Sequence, residues 1–142
     1  MPKINLEIIK QIESSGKPEA FNEVSKARGL YQITPIVLKE WNNFFPKGKY
    51  SEDDLFNPEI NEKIASWYIN DRIPSMLKHF KKPVTLDNVL ISYNAGIDYV
   101  VHNRNLPKET NDYISKYNNL SLNNNSNIVK KALAIARGKN AD

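Results

Sequence analysis

Apolar residues recur every three or four positions along most of the chain, the spacing that places side chains on one face of an α-helix. No stretch shows the sustained alternation of apolar and polar residues that is typical of a half-buried β-strand. The first apolar stripe predicts a helix over about residues 5–14, and it consists of Ile4, Ile8, Ile9 and Ile12. The pattern therefore predicts a mainly α fold.

Two later helices have recognisable starts. Thr34 precedes Pro35 and Asn57 precedes Pro58, so each start combines a side-chain acceptor with the one residue that needs no amide donor in the first helical turn. Pro74 lies within the apolar stripe that follows Asn57, and we expect it to kink or split that helix because it lacks the amide donor. Further helices are predicted over about 86–95 and from about 108 onward.

The composition changes after residue 117. Residues 118–127 include six asparagines, and such a polar segment is predicted to be a loop or linker. Residues 128–142 predict a basic amphipathic helix and tail, which we expect to pack back on the domain, with a membrane or partner anchor as the alternative. The domain proper is therefore expected to span residues 1–117.

Length and composition narrow the function classes. A chain of 142 residues with 40% hydrophobic and 25% charged residues fits one globular domain whose core needs no disulfide. It has no cysteine and two histidines, which excludes a cysteine nucleophile and a Cys-ligated metal. No apolar run approaches the ~18–20 residues of a membrane span, and the first residues do not resemble a signal peptide.

The charge balance is mildly basic. The net charge of +4 and the pI near 9.2 favour anionic partners. The basic residues are scattered and form no known nucleic-acid-binding motif, so no nucleic-acid partner is expected.

Glu13 is a candidate general acid. It lies at the end of the first apolar helix, directly before a Ser-Ser-Gly break. A carboxyl partly surrounded by isoleucines should have a raised pKa, because desolvation disfavours its charged form, and it would keep its proton near neutral pH. A solvated glutamate near a helix end is the alternative that this residue alone leaves open.

Further segments follow Glu13 in an order that resembles the soluble-lytic-transglycosylase (SLT) domain, a family related to goose-type lysozyme. The resemblance covers about residues 5–117. The matching segments are Glu13-Ser14-Ser15-Gly16, Ala27-Arg28-Gly29-Leu30-Tyr31-Gln32-Ile33-Thr34-Pro35, Leu55-Phe56-Asn57-Pro58-Glu59-Ile60-Asn61, Ser92-Tyr93-Asn94-Ala95-Gly96 and Leu106-Pro107-Lys108-Glu109-Thr110-Asn111-Asp112-Tyr113.

The resemblance implies a mainly α, lysozyme-like single domain with an active-site cleft that binds a peptidoglycan glycan strand. Glu13 matches the family's single catalytic acid. It would protonate the glycosidic oxygen between N-acetylmuramic acid and N-acetylglucosamine, then take the proton of the muramic acid C6 hydroxyl as that oxygen attacks C1. The product would be a 1,6-anhydro sugar. No metal or organic cofactor is implied, and a monomer is expected.

The same resemblance identifies candidate substrate contacts. Gln32 matches a glutamine whose amide suits sugar hydroxyls and N-acetyl groups, and the Tyr93 hydroxyl is expected to reach Glu13 or the saccharide. Tyr31 is interpreted as either a sugar-stacking platform or a core residue. The remaining candidates are Ser14, Asn94, Glu109 and Tyr113. Asn94 could instead hydrogen-bond to backbone groups of its turn, and Glu109 could instead stabilise the start of a helix through its negative charge.

Glu23 carries the main alternative. A second carboxylate near Glu13 would position a water and make the protein a lysozyme-type hydrolase. A non-catalytic cell-wall-binding or virion structural module is the alternative from a different class. Because peptidoglycan lies outside the cytoplasmic membrane, we expect action at the cell wall after removal of a leader or delivery by a phage or secretion apparatus.

Overall fold

The computed structural model describes residues 3–140, and their side chains as far as residue 136. Within that range the α-helices are α1 (Leu6–Ser14), α2 (Pro35–Phe44), α3 (Pro58–Trp67), α4 (Ile73–His79), α5 (Leu86–Asn94), α6 (Asp98–Val101) and α7 (Lys108–Asn140). A 3₁₀-helix spans Asp53–Phe56. No strand forms among residues 3–140, where two isolated bridges join Arg28 to Phe21 and to Ile33. The predicted mainly α class is confirmed.

Side-chain caps fix where four of the helices begin. In each case a side-chain oxygen accepts hydrogen bonds from amides of the first turn, which have no partner inside the helix. The caps are Asn5 of α1, Thr34 of α2, Asn57 of α3 and Thr85 of α5. The predicted helix starts at Thr34 and Asn57 are therefore confirmed.

Pro74 splits the long helix as predicted. A π-helical turn, Tyr68–Arg72, separates α3 from α4. The wider turn ends two residues before the proline, whose ring and missing amide are incompatible with the regular hydrogen bond to the carbonyl four residues earlier. The apolar stripe continues across this turn, since Ile64, Ile69 and Leu77 are all buried.

Asn61 of α3 anchors the chain between α1 and α2 from inside the core. Its side chain is fully buried, accepts a hydrogen bond from the Tyr31 amide at 2.8 Å and donates to the carbonyls of Arg28 and Leu55. Gly29 makes this possible, because a Cβ there would overlap the Asn61 amide and the Leu55 carbonyl. Its φ of +81° also suits glycine. This anchor holds the loop that follows Glu13 at one edge of the core.

Helix α7 begins as part of the domain and then leaves it. Near its start it packs against α1 and α5 and buries Thr110, Tyr113 and Tyr117. The loop predicted over 118–127 is wrong, because this segment is helical. Each asparagine disfavours a helix by well under 1 kcal/mol, and no glycine or proline stands between residues 108 and 137 to end one. The division into domains remains a prediction.

The segment 128–142 is not a separate short helix packed on the domain. As far as residue 140 it continues α7, and the side chains of residues 128–136 are exposed. Residues 141–142 of the predicted tail, and residues 1–2 of the predicted domain, lie outside the described residues. Within residues 3–140 no helix combines the length and apolar character that crossing a bilayer requires.

Candidate active site

Glu13 lies in the last turn of α1, where the chain leaves the helix through a left-handed residue, Ser15. Two cavities meet at its carboxyl. One, of about 420 Å³, lies between the end of α1 and the start of α7 and includes Asn94 and Glu109 in its wall. The other, of about 290 Å³, extends toward the loop after α1 and shares Glu13, Asn94 and Glu109 with the first. Glu13 therefore stands where the two spaces join.

A third cavity prolongs the second. It has a volume of about 260 Å³ and shares Gln32, Thr34, Tyr93 and Asn94 with its neighbour. The three spaces thus adjoin one another along the residues that they share, and we call them together the cleft. A linear polymer bound along this cleft would have units on both sides of the carboxyl.

The environment of Glu13 raises its pKa from 4.5 to about 7, mainly because burial disfavours the charged carboxylate. The nearby Glu109 carboxylate raises it further, whereas the Tyr113 hydroxyl lowers it by donating a hydrogen bond to Glu13 Oε2 at 2.9 Å. Burial also raises the pKa of Tyr113 far above its ordinary value. Tyr113 therefore remains a protonated donor, and Glu13 is an acid poised near neutral pH.

The Tyr93 hydroxyl has a different partner from the one expected. It donates to the backbone carbonyl of Tyr31, and not to Glu13. The ring of Tyr93 nevertheless lines two of the three cavities. Tyr93 thus contributes the wall of the cleft and ties α5 to the loop that carries Tyr31.

Tyr31 is a core residue, so the sugar-stacking interpretation is wrong. Its side chain is completely buried, and its hydroxyl donates to Glu62 Oε1 at 2.8 Å. A fully buried ring presents no face to a ligand. The sequence around Tyr31 could not show that the residue is buried, because its partners Asn61 and Glu62 lie about thirty residues away in sequence.

Gln32 borders the cleft, but its amide nitrogen is engaged within the protein. Nε2 donates to the carbonyls of Ala20 at 3.2 Å and Gly29 at 3.1 Å, which uses both of its hydrogens. The expectation that this group donates to sugar is therefore wrong. The Oε1 atom is a potential acceptor, and the side chain stabilises the loop after α1.

Two further candidates lie away from the cleft. The Ser14 hydroxyl is buried, donates to the Lys10 carbonyl and accepts from the Gly16 amide, so it ends α1 and is not a substrate contact. Glu23 is exposed and is absent from the walls of the cavities that contain Glu13. The residues on either side of it, Asn22 and Val24, line the second cavity instead. Glu23 is therefore not positioned in the cavity wall as a second carboxylate beside Glu13.

The loop after α1 also lines the cleft, through Asn22, Val24, Ser25 and Ala27, none of which was singled out as a substrate contact from the sequence. Asn22 Oδ1 accepts hydrogen bonds from the amides of Val24 and Ser25, which closes a tight turn. Asparagine favours such a turn because its side chain can hydrogen-bond to the backbone two residues further along. Among residues 3–140 no three His, Asp or Glu side chains are grouped closely enough to hold a metal ion.

A comparison with protein families finds a match over most of the chain. A family model described as "Transglycosylase SLT domain" matches residues 2–118, which include all the cleft residues. No curated protein and no solved structure matches the chain.

Proposed function

The chain belongs to the transglycosylase SLT domain family, and from this premise we propose that it is a lytic transglycosylase of peptidoglycan. Its substrate is the glycan strand, and its reaction is cleavage of the β-1,4 bond between N-acetylmuramic acid and N-acetylglucosamine. The fold is mainly α and lysozyme-like. Membership of this family supports activity of this kind.

One observation carries the proposal. Glu13 is a half-buried carboxyl with a pKa of about 7, and it lies in the walls of two adjoining cavities. A general acid works best when its pKa lies near the operating pH. A module that only binds glycan has no use for a desolvated acid at this point, since the arrangement lowers the stability of the folded protein.

In the first step Glu13 donates its proton to the glycosidic oxygen. The bond from that oxygen to C1 of the muramic acid breaks with its electron pair going to the oxygen, and C1 develops oxocarbenium character. The N-acetylglucosamine leaves with a free hydroxyl. Glu13 is then a carboxylate, and the hydrogen bond from Tyr113 stabilises its charge.

In the second step the Glu13 carboxylate accepts the proton of the C6 hydroxyl of the same muramic acid. The C6 oxygen supplies the electron pair of a new bond to C1, which closes the 1,6-anhydro ring. Glu13 recovers its proton and no water is consumed. One carboxylate serves both steps, whereas ordinary glycosidases use two.

The polar groups around Glu13 suit a carbohydrate. Asn94 lines all three cavities, and Asn22 and Ser25 also line the second. Amides and hydroxyls both donate and accept hydrogen bonds, as sugar hydroxyls and N-acetyl groups require. We propose Asn94 as the substrate contact nearest the acid, and action at the cell wall as the setting in which this substrate is met.

A lysozyme-type hydrolase remains the second candidate because Glu109 borders both cavities that contain Glu13. In a hydrolase this carboxylate would activate a water, and the products would have reducing ends. In the proposed transglycosylase Glu109 acts only through its charge, which raises the pKa of Glu13.

The test compares fragment release from purified peptidoglycan by the wild type, Glu13→Gln and the matched control Glu23→Gln. Glu13→Gln keeps an oxygen that accepts from Tyr113 but has no proton to give, so we expect release to fall at least a thousandfold, on the order expected for loss of an essential general acid. Glu23→Gln should match the wild type. Undiminished release by Glu13→Gln would contradict the proposal, and sedimentation with peptidoglycan but no release by any form would assign a binding module.

A further inference from the structure

The second half of α7 presents an apolar face that the domain does not cover. Its large apolar side chains each expose half or more of their surface: Leu122, Ile128, Val129, Leu133 and Ile135. A monomer in water seldom leaves such a group exposed without a partner. We name the helical segment 128–136 the distal segment.

The distal segment is amphipathic. At 100° per residue its apolar positions fall within an arc of about 160°, and the remainder of the circumference carries Lys130, Lys131 and, between them, Ala134. The segment is also preformed, because it continues a helix that is anchored by buried Tyr113 and Tyr117. Binding through this face therefore does not require a disordered chain to be ordered first.

The charge around this face has one sign. Between Asp112 and Asp142 the sequence contains no acidic residue, and its basic residues are Lys116, Lys130, Lys131, Arg137 and Lys139. An apolar face bordered by lysines is the arrangement of helices that lie in the interface of an anionic membrane. These five basic residues exceed the net charge of +4 of the whole chain, so the positive charge is concentrated in this part of the sequence.

We propose that the distal segment is a docking surface for an anionic lipid bilayer. The apolar side chains enter the boundary between headgroups and acyl chains, and the lysines lie among the anionic headgroups. The distal segment begins about 22 Å along α7 from Tyr113, at the rise of an α-helix. Docking would hold the cleft near the membrane surface without placing any catalytic residue in lipid.

A second copy of the chain fits this face less well. Two-stranded coiled coils use a narrow apolar seam sustained over three or four heptads, with opposite charges beside it. The distal segment is little more than one heptad long, and its apolar arc is broad. Two copies would bring lysines together with no acidic residue in the segment to pair with them. A glycan or other hydrophilic polyanion would leave the apolar side chains in water.

The test is co-sedimentation of the full chain with phosphatidylcholine vesicles, with and without one-third phosphatidylglycerol, at low and high salt. We expect binding only to the anionic vesicles, weakened by salt. Ile128→Gln/Leu133→Gln should lower the partition coefficient by roughly tenfold or more through lost apolar burial. Lys130→Gln/Lys131→Gln should lower it by about tenfold or more at low salt.

Two matched controls separate this face from a general charge effect. Ala134→Gln introduces the same residue on the polar side, and Lys47→Gln/Lys49→Gln removes the same charge from an exposed loop of the domain. Both should bind within about threefold of the wild type. Helix content and peptidoglycan release should be unchanged in every variant.

Absence of binding to anionic vesicles would overturn the proposal. So would equal losses in Lys47→Gln/Lys49→Gln and Lys130→Gln/Lys131→Gln, because the attraction would then be diffuse. A concentration-dependent dimer that Ile128→Gln/Leu133→Gln abolishes, without vesicle binding, would assign the face to a second copy instead.

Discussion

The two halves of α7 differ in what surrounds them. Over residues 108–117 the helix packs on α1 and α5, buries three side chains and directs Tyr113 at Glu13. Over residues 122–136 the large apolar side chains are at least half exposed. The family match ends at residue 118, close to where the packing ends. One helix thus belongs to the proposed active site in its first half and is available to a partner in its second.

The largest expected difference between the two halves of α7 is in how much a substitution in each half lowers the free energy of unfolding. Tyr117 is buried, and its hydroxyl accepts a hydrogen bond from the Asn5 amide at 2.9 Å. Replacing it by alanine should lower the free energy of unfolding by about 3–5 kcal/mol, as expected for a large buried aromatic residue. The matched change Leu133→Ala should alter it by less than about 0.5 kcal/mol. Urea unfolding measures both, and similar losses would show that the distal segment packs on the domain in solution.

The next effect concerns the acid that the first half of α7 holds. The pKa of Glu13 is about 7 in the folded protein and 4.5 without the fold, so the folded state binds more protons between these pH values. Stability contributed by Glu13 is therefore lost as pH rises from about 4.5 to about 7. The full loss is roughly 3 kcal/mol at pH 8.

Glu13→Gln removes that loss because its side chain is neutral at every pH. We expect the variant to be more stable than the wild type at pH 8 by up to about 3 kcal/mol, and nearly equal to it at pH 4. Urea unfolding at both pH values is the measurement. Lys130→Gln/Lys131→Gln, in the exposed half, should show no such dependence on pH, and a constant difference for Glu13→Gln would mean that its pKa is ordinary.

The smallest effect is a pair of opposite shifts in the pH dependence of fragment release. Release requires protonated Glu13, so it should fall as pH rises through about 7. Tyr113→Phe removes the hydrogen bond that lowers the pKa of Glu13, and this decline should move to higher pH. Glu109→Gln removes the charge that raises that pKa, and the decline should move to lower pH. Each shift should be about one pH unit or less, and a common direction would contradict these roles.

Local chemistry in the sequence was enough to predict much of the fold. The caps Thr34 and Asn57 act on amides two or three residues away, so a short stretch of sequence contains the whole interaction. Pro74 disrupts its own helix for an equally local reason. The asparagines of 118–127 misled the interpretation because an anchored helix continues through residues that would not start one.

The site was predictable only in part, because its details depend on distant contacts. The apolar stripe before Glu13 made it a candidate, and the family resemblance of the ordered motifs that follow identified it as the acid. The structure places Asn94, Glu109 and Tyr113 around the same cavity. Tyr31 forms hydrogen bonds with Asn61 and Glu62, and Gln32 forms hydrogen bonds with two backbone carbonyls. No local sequence pattern predicts these contacts. The roles of the cleft residues in catalysis remain predictions.

The reaction itself is tested most directly by mass spectrometry of the fragments that the wild type releases from peptidoglycan in water labelled with heavy oxygen. The proposed reaction predicts anhydro ends that are one water lighter than reducing ends, resist borohydride reduction and contain no label, with none formed by Glu13→Gln. Labelled, reducible ends would contradict it, because a water would then have attacked C1 and the protein would be a hydrolase.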